Sequence, residues 1–174
     1  MKKIIASIIM FLMFAVTAHA EWDFYFFGIN AKMIQEAKPI PIILGVIAAP
    51  LVHTAGHYVY AGLNGMDIRQ DGFHEILPAG YEARQYREFA QAGFITENLV
   101  GLVLTSLPAT RQSDFTKGYV AAAFVHTISY PLINQGEKDD LYWSNRHGGN
   151  RDWEYVGYSA IATHNLLRVK WYKD

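Results

Sequence analysis

The sequence predicts an all-α protein, a membrane-embedded helical bundle of about four main helices behind an N-terminal signal sequence. Three observations carry that expectation. The composition is 51% hydrophobic and 14% aromatic, which suits an extensive core or a membrane interface, where Trp and Tyr collect. Residues 39–66 contain no Asp, Glu, Lys or Arg, a run long enough to cross a bilayer. Gly45, Pro50, Gly56 and Gly62 lie inside that run, and they suit close packing or a kink in a membrane helix.

The elements follow in chain order. Lys2 and Lys3 form a basic start, Ile4 to Val16 an apolar core, and Ala18-His19-Ala20 a small-x-small cleavage site. Residues 1–20 therefore read as a signal peptide. The apolar core is short for a membrane span, which needs roughly 20 residues. Residues 21–174 remain as a single helical membrane domain. Glu21 to Lys38 is either an interfacial amphipathic helix or an ordinary surface helix. Pro39 and Pro41 open the first long run, and Asn64-Gly65 stops it.

Asp67 to Glu88 reads as a polar loop with Gly72, Pro78 and Gly80 as breakers, holding short structure of its own. A second apolar run spans Phe89 to Leu107 and carries Gln91, Glu97 and Asn98. The third, Gly118 to Gly136, has no charged residue and contains His126, Ser129 and Pro131. The last, Tyr155 to Leu167, is short and carries His164 and Asn165. Between these two, Arg146, His147 and Arg151 beside a glycine pair form either a solvated loop or a seat for an anionic headgroup.

Composition also excludes. Fifteen basic residues against sixteen acidic ones argue for no nucleic-acid partner. With no Cys, disulfides, thiolate zinc ligands and a cysteine nucleophile are all ruled out. A zinc site here has to use His, Asp, Glu or water. No nucleophile elbow, phosphate-cradling loop or dinucleotide fingerprint is present.

His53 and His57 are one helical turn apart, so both imidazoles project from one face, the spacing by which a helix offers two nitrogens to one zinc ion. A pair at this spacing is also common by chance in packed cores. Glu97, His126 and His164 lie in the other apolar runs, and a bundle can gather such side chains into one metal site. The candidate metal ligands are therefore His53, His57, Glu97, His126 and His164. Burial would raise the Glu97 pKa, which fits it for base work as well.

The stretch "HTAGHYVYAGLNG" resembles the metal-binding helix of the site-2 protease family of intramembrane zinc metalloproteases, H-E-x-G-H-x-x-x-A-x-x-x-G. His53, Gly56, His57, Ala61 and Gly65 fall on that pattern. Further on, Ala92, Gly93 and Asn98 echo the family's A-G-P-x-x-N segment, with one extra residue and Phe94 in place of the proline. The resemblance implies a membrane-embedded zinc protein whose partner is a transmembrane helix.

Two departures matter. Thr54 stands where the family has the Glu that acts as general base. A hydroxyl that stays un-ionised cannot take that proton, and losing a general base costs a factor of about 10² to 10⁴. The family's third ligand is a later Asp. Pro131, Leu132 and Gly136 suggest its segment, but Asn134 and Gln135 occupy the place, with Asp139 and Asp140 a few residues beyond.

Three readings result. The first is a pseudoprotease-like zinc protein of the inner membrane, with a periplasmic or secreted protein as the alternative location, in contact with lipid and a protein or transmembrane-helix partner. The second is an active zinc metallohydrolase with Glu97 as a relocated catalytic base. The third is an accessory subunit of a membrane complex, its histidines used in packing or in haem and metal roles.

Overall fold

The computed structural model describes residues 38–71, 74–133 and 139–169. The expected signal peptide and the stretch Glu21 to Lys38 lie outside them, apart from Lys38 itself. Within the described residues the protein is all-helical but for one small hairpin: α1 (Pro39–Leu63), β1 (Arg69–Asp71), β2 (His74–Ile76), α2 (Ala83–Ser106), α3 (Pro108–Arg111), α4 (Asp114–Ile133), α5 (Asp140–Arg146) and α6 (Arg151–Arg168).

α1 starts on Pro39, where the missing N–H costs nothing and φ is already helical. Its end is a Schellman turn. Met66 N donates to Ala61 O at 2.9 Å, Gly65 N donates to Gly62 O, and Gly65 takes the left-handed conformation at φ 62°. The buried positions of α1 are Gly45, Ala49, His53, Gly56, His57 and Ala61. They form one stripe at helical spacing, so the histidine pair is carried on the packing seam.

The polar segment after α1 holds the antiparallel hairpin, with Arg69 opposite Ile76 and Asp71 opposite His74. The loop is shorter than its sequence suggests, because α2 begins at Ala83. A capping box accounts for this: Glu82 caps the helix while the Gln85 side chain accepts from Glu82 N at 2.9 Å. The second apolar run falls inside α2 up to Ser106, the described part of the third, Gly118 to Ile133, inside α4, and the last inside α6.

α1 packs against α4 and α2, and backbone meets backbone at the α1–α4 crossing. A Cβ on Gly45 would lie 2.1 Å from Phe115 O, and one on Gly118 would lie 2.1 Å from Ile42 O. Only glycine on both sides permits that approach, the small-residue packing common between membrane helices. Beside it, Ala49, Tyr119, Val120, Ala123, Leu166 and Val169 form a core shared by α1, α4 and α6. A second buried group, Phe94, Tyr130 and Leu141, joins α2, α4 and α5 next to the histidines.

α5 is short but firmly placed. Asp139 at its N-cap accepts from Leu141 N at 2.8 Å and from Arg151 Nη2 at 3.1 Å. That cap turns the next residue, Asp140, toward α1.

Candidate metal centre

His53 and His57 are buried on α1, with 7% and 2% of their surfaces exposed. The Nδ1 of His57 lies 2.8 Å from the carbonyl oxygen of Phe89 on α2. A carbonyl only accepts, so Nδ1 carries a proton and Nε2 is the nitrogen that can face a metal ion. That Nε2 sits 3.3 Å from His53 Nε2. Asp140 Oδ2 completes the group, 3.1 Å from His53 Nε2 and 3.5 Å from His57 Nε2.

These three spacings are the test of fit for a metal ion. Zinc bonds of 2.0–2.1 Å in a tetrahedron give ligand-to-ligand edges of about 3.3–3.4 Å. The triangle of 3.1, 3.3 and 3.5 Å matches that edge length. The donor set, two imidazoles and one carboxylate, is also a zinc set. Burial opposes ionisation of Asp140, but the imidazoles of His57 and His53 outweigh it and hold its carboxyl well below the usual range. An ionised carboxylate is the form that binds metal.

The surroundings fix each member. Tyr130 OH donates to Asp140 Oδ2 at 2.9 Å, and Asp140 N donates to the same hydroxyl at 3.2 Å. Phe94 packs edge-on against His53 at 4.7 Å between centroids. Gly93 lies directly over the pair: a Cβ there would be 2.5 Å from His53 Nε2 and 2.6 Å from His57 Nε2. Glycine at this position leaves the space in front of both nitrogens open.

Glu97 and His126 stand on the other side of His53. Glu97 is fully buried, and His126 Nδ1 lies 3.0 and 3.2 Å from its two carboxylate oxygens. Glu97 Oε2 is 3.5 Å from His53 Nδ1, which has no hydrogen-bonding partner. This is longer than the usual 2.7–3.2 Å for such a bond, so the contact compensates charge more than it bonds. His53, Glu97 and His126 thus form a second group of metal-binding type that shares His53 through its opposite ring nitrogen.

The structure therefore brings four of the five sequence-predicted ligands together and leaves one out. His164 is exposed on α6. The buried face of that helix is made by Ala162, Asn165 and Leu166, and His164 belongs to neither group among the described residues. The carboxylate on the Nε2 side is Asp140, which the sequence reading noticed but did not place, and not Glu97. Tyr130 and the Phe89 carbonyl were not singled out at all. Tyr130 follows His126 by one helical turn, which is the signal that placed it on the same face.

Removing the Tyr130 donor tests whether it orients the carboxylate. Where the group holds a metal ion, Tyr130→Phe is expected to weaken that binding by about 10-fold, within the 10–100-fold range for loss of such outer partners. Isothermal titration with helical content monitored by circular dichroism reads the effect. Unchanged affinity would mean that Tyr130 only packs.

Compared with models of known families, with curated proteins and with solved structures, the chain matches none.

Proposed function

We propose that this chain is a membrane-embedded helical protein that holds one zinc-class cation on His53, His57 and Asp140. Its scaffold is similar to that of the site-2 proteases, and it binds a partner or substrate helix without cutting it. The observation that carries this reading is the convergence of two buried imidazole nitrogens and one half-buried carboxylate oxygen at tetrahedral spacing. The ion would supply Lewis-acid polarisation of whatever ligand takes its remaining position. The chain's own residues orient the ligands: Phe89 O sets the His57 tautomer, and Tyr130 holds Asp140.

The position of Glu97 favours holding over hydrolysis. A general base has to reach the proton it takes within about 2.6–3.2 Å, or through one water. The Glu97 carboxylate lies at Nδ1 of His53, behind the ring that offers Nε2 to the triad, and is engaged by His126. Thr54, beside His53, supplies no ionisable group.

Membrane embedding is supported by α1. It has a window of mean hydropathy 1.7 of which only 22% is buried. A soluble core helix of that composition would be mostly covered. At 1.5 Å per residue its length is about 37 Å, more than the roughly 30 Å hydrocarbon core. Ile43, Leu44, Ile47, Leu51 and Val59 point outward and would meet lipid. With residues 1–20 as an export signal, the inner membrane is the location this reading favours.

Zinc content and peptide hydrolysis of the detergent-purified protein test the proposal together. The expected result is about one zinc per chain, lost in His53→Ala and His57→Ala, and no hydrolysis by the wild type. Thr54→Glu, which restores a base beside the first histidine, should keep the zinc. Negligible zinc, unchanged by these substitutions, would leave the chain as an accessory subunit. Hydrolysis by the wild type that vanishes in Glu97→Gln, with zinc retained, would replace this reading by the relocated-base enzyme.

A further inference from the structure

A cleft opens beside the triad, between β2, the start of α2 and α5. Asp140 is one of its lining residues, with Leu77, Phe89, Ala90, Tyr86 and Trp143 around it. Phe89 also supplies the carbonyl that sets the His57 tautomer, so the cleft borders the same wall that shapes the site. Its solvent space is about 20 Å³. A single water needs about 10–15 Å³ on that measure, so the cleft has room for one or two water-sized groups and no more.

The outer wall is rigid. Tyr86 and Trp143 face each other nearly parallel, with ring centroids 6.1 Å apart. His147 stacks on both, at 4.6 Å from Tyr86 and 5.7 Å from Trp143. Tyr86 OH is tied to Pro78 O, and the Arg146 guanidinium lies 5.5 Å from the Trp143 ring centre. On the inner side Leu77 and Ala90 are buried, at 6% and 3% exposure. Widening the passage requires several packed rings to move at once.

We propose that this cleft is the ligand port of the metal centre. It admits one slim monodentate ligand, water or a small inorganic anion, to the position that three protein ligands leave on a four-coordinate ion. The aromatic collar of Tyr86 and Trp143 excludes an extended peptide. The inference rests on the metal reading above and names the class of ligand that the site accepts.

The test uses full-length protein in detergent, loaded with Co²⁺, whose visible absorption reports coordination directly. Azide and benzoate are the probes. Glu75 also lines the cleft, so both are titrated at physiological salt, where the Debye length is about 8 Å. Azide should shift the cobalt bands, and benzoate should bind more weakly by at least about tenfold. Trp143→Ala and, independently, Tyr86→Leu should each strengthen benzoate by about tenfold or more while azide affinity and cobalt content hold. Equal response to both anions in the wild type would overturn the port, as would no response to either by the cobalt-loaded protein. Benzoate affinity unmoved in both variants would overturn it too. Failure to take up cobalt at all is a different outcome, and it would overturn the metal reading together with the port.

Discussion

Asp140→Asn should cost zinc affinity by more than the 10–100-fold that loss of an outer partner costs, because it removes a direct ligand. The substitution keeps size and keeps an oxygen that can accept from Tyr130, so packing around α5 survives. What disappears is the negative charge facing two imidazoles, 3.1 and 3.5 Å away. Competition against a chelator of known affinity, with the wild type alongside, reads the loss. Glu97→Gln is the informative contrast. Its carboxylate faces Nδ1 of His53 and not Nε2, so it should fall within the outer-partner range. Equal losses for the two would mean that the triad has been drawn on the wrong side of His53.

The largest structural effect is expected at the α1–α4 crossing. Gly118→Ala places a methyl group 2.1 Å from Ile42 O and 2.8 Å from the Ile42 carbonyl carbon. These are backbone atoms, which no rotamer change can move aside, so the helices have to part. Overpacking of this kind costs about 1–3 kcal/mol and occasionally more. Because α1 carries both histidines, the shift also spreads the triad, and zinc binding should weaken with the fold. Gly62→Ala, where nothing lies within 4 Å, is the matched control and should be neutral or slightly stabilising by helix propensity. Thermal unfolding in detergent distinguishes them. A Gly118→Ala protein as stable as the wild type would show that the two backbones do not touch.

Much of the architecture was legible in the sequence, for physical reasons that can be named. The charge-free run from Pro39 and the Asn64-Gly65 stop define α1 because Pro fits an N-terminus and Gly alone accepts the left-handed turn at its end. The described parts of the later apolar runs lie within helices, but for Leu107 at the end of the second. The polar segment after α1 was read as loop as far as Glu88, and the structure departs from that at Ala83. The Glu82–Gln85 capping box that starts α2 there was present in the sequence, and its polar residues masked it.

The site was legible in part. The pair His53 and His57 follows from one turn of helix, and Glu97 and His126 were named as buried candidates. Their faces were not, since which nitrogen of His53 each carboxylate meets depends on how α2 and α5 dock. Asp140 stands in the sequence only as one of two aspartates shortly beyond Gly136, because what brings it to the histidines is the docking of α5, capped at Asp139. His164 is the candidate that the structure sets apart from both groups. Ala162, Asn165 and Leu166 already mark the buried face of α6 at i, i+3 and i+4. His164 stands about 200° around the helix from Ala162.

The central claim is that His53, His57 and Asp140 together hold one metal ion. Zinc X-ray absorption on the purified full-length protein, compared with Asp140→Asn, tests it most directly. The account predicts a four-coordinate shell of nitrogen and oxygen at about 2.0–2.1 Å, with the outer scattering of two imidazoles. In the variant that spectrum should lose its occupancy or the carboxylate oxygen bound directly to the metal. A wild-type shell without imidazole scattering would contradict the account, as would an identical spectrum at full occupancy in Asp140→Asn.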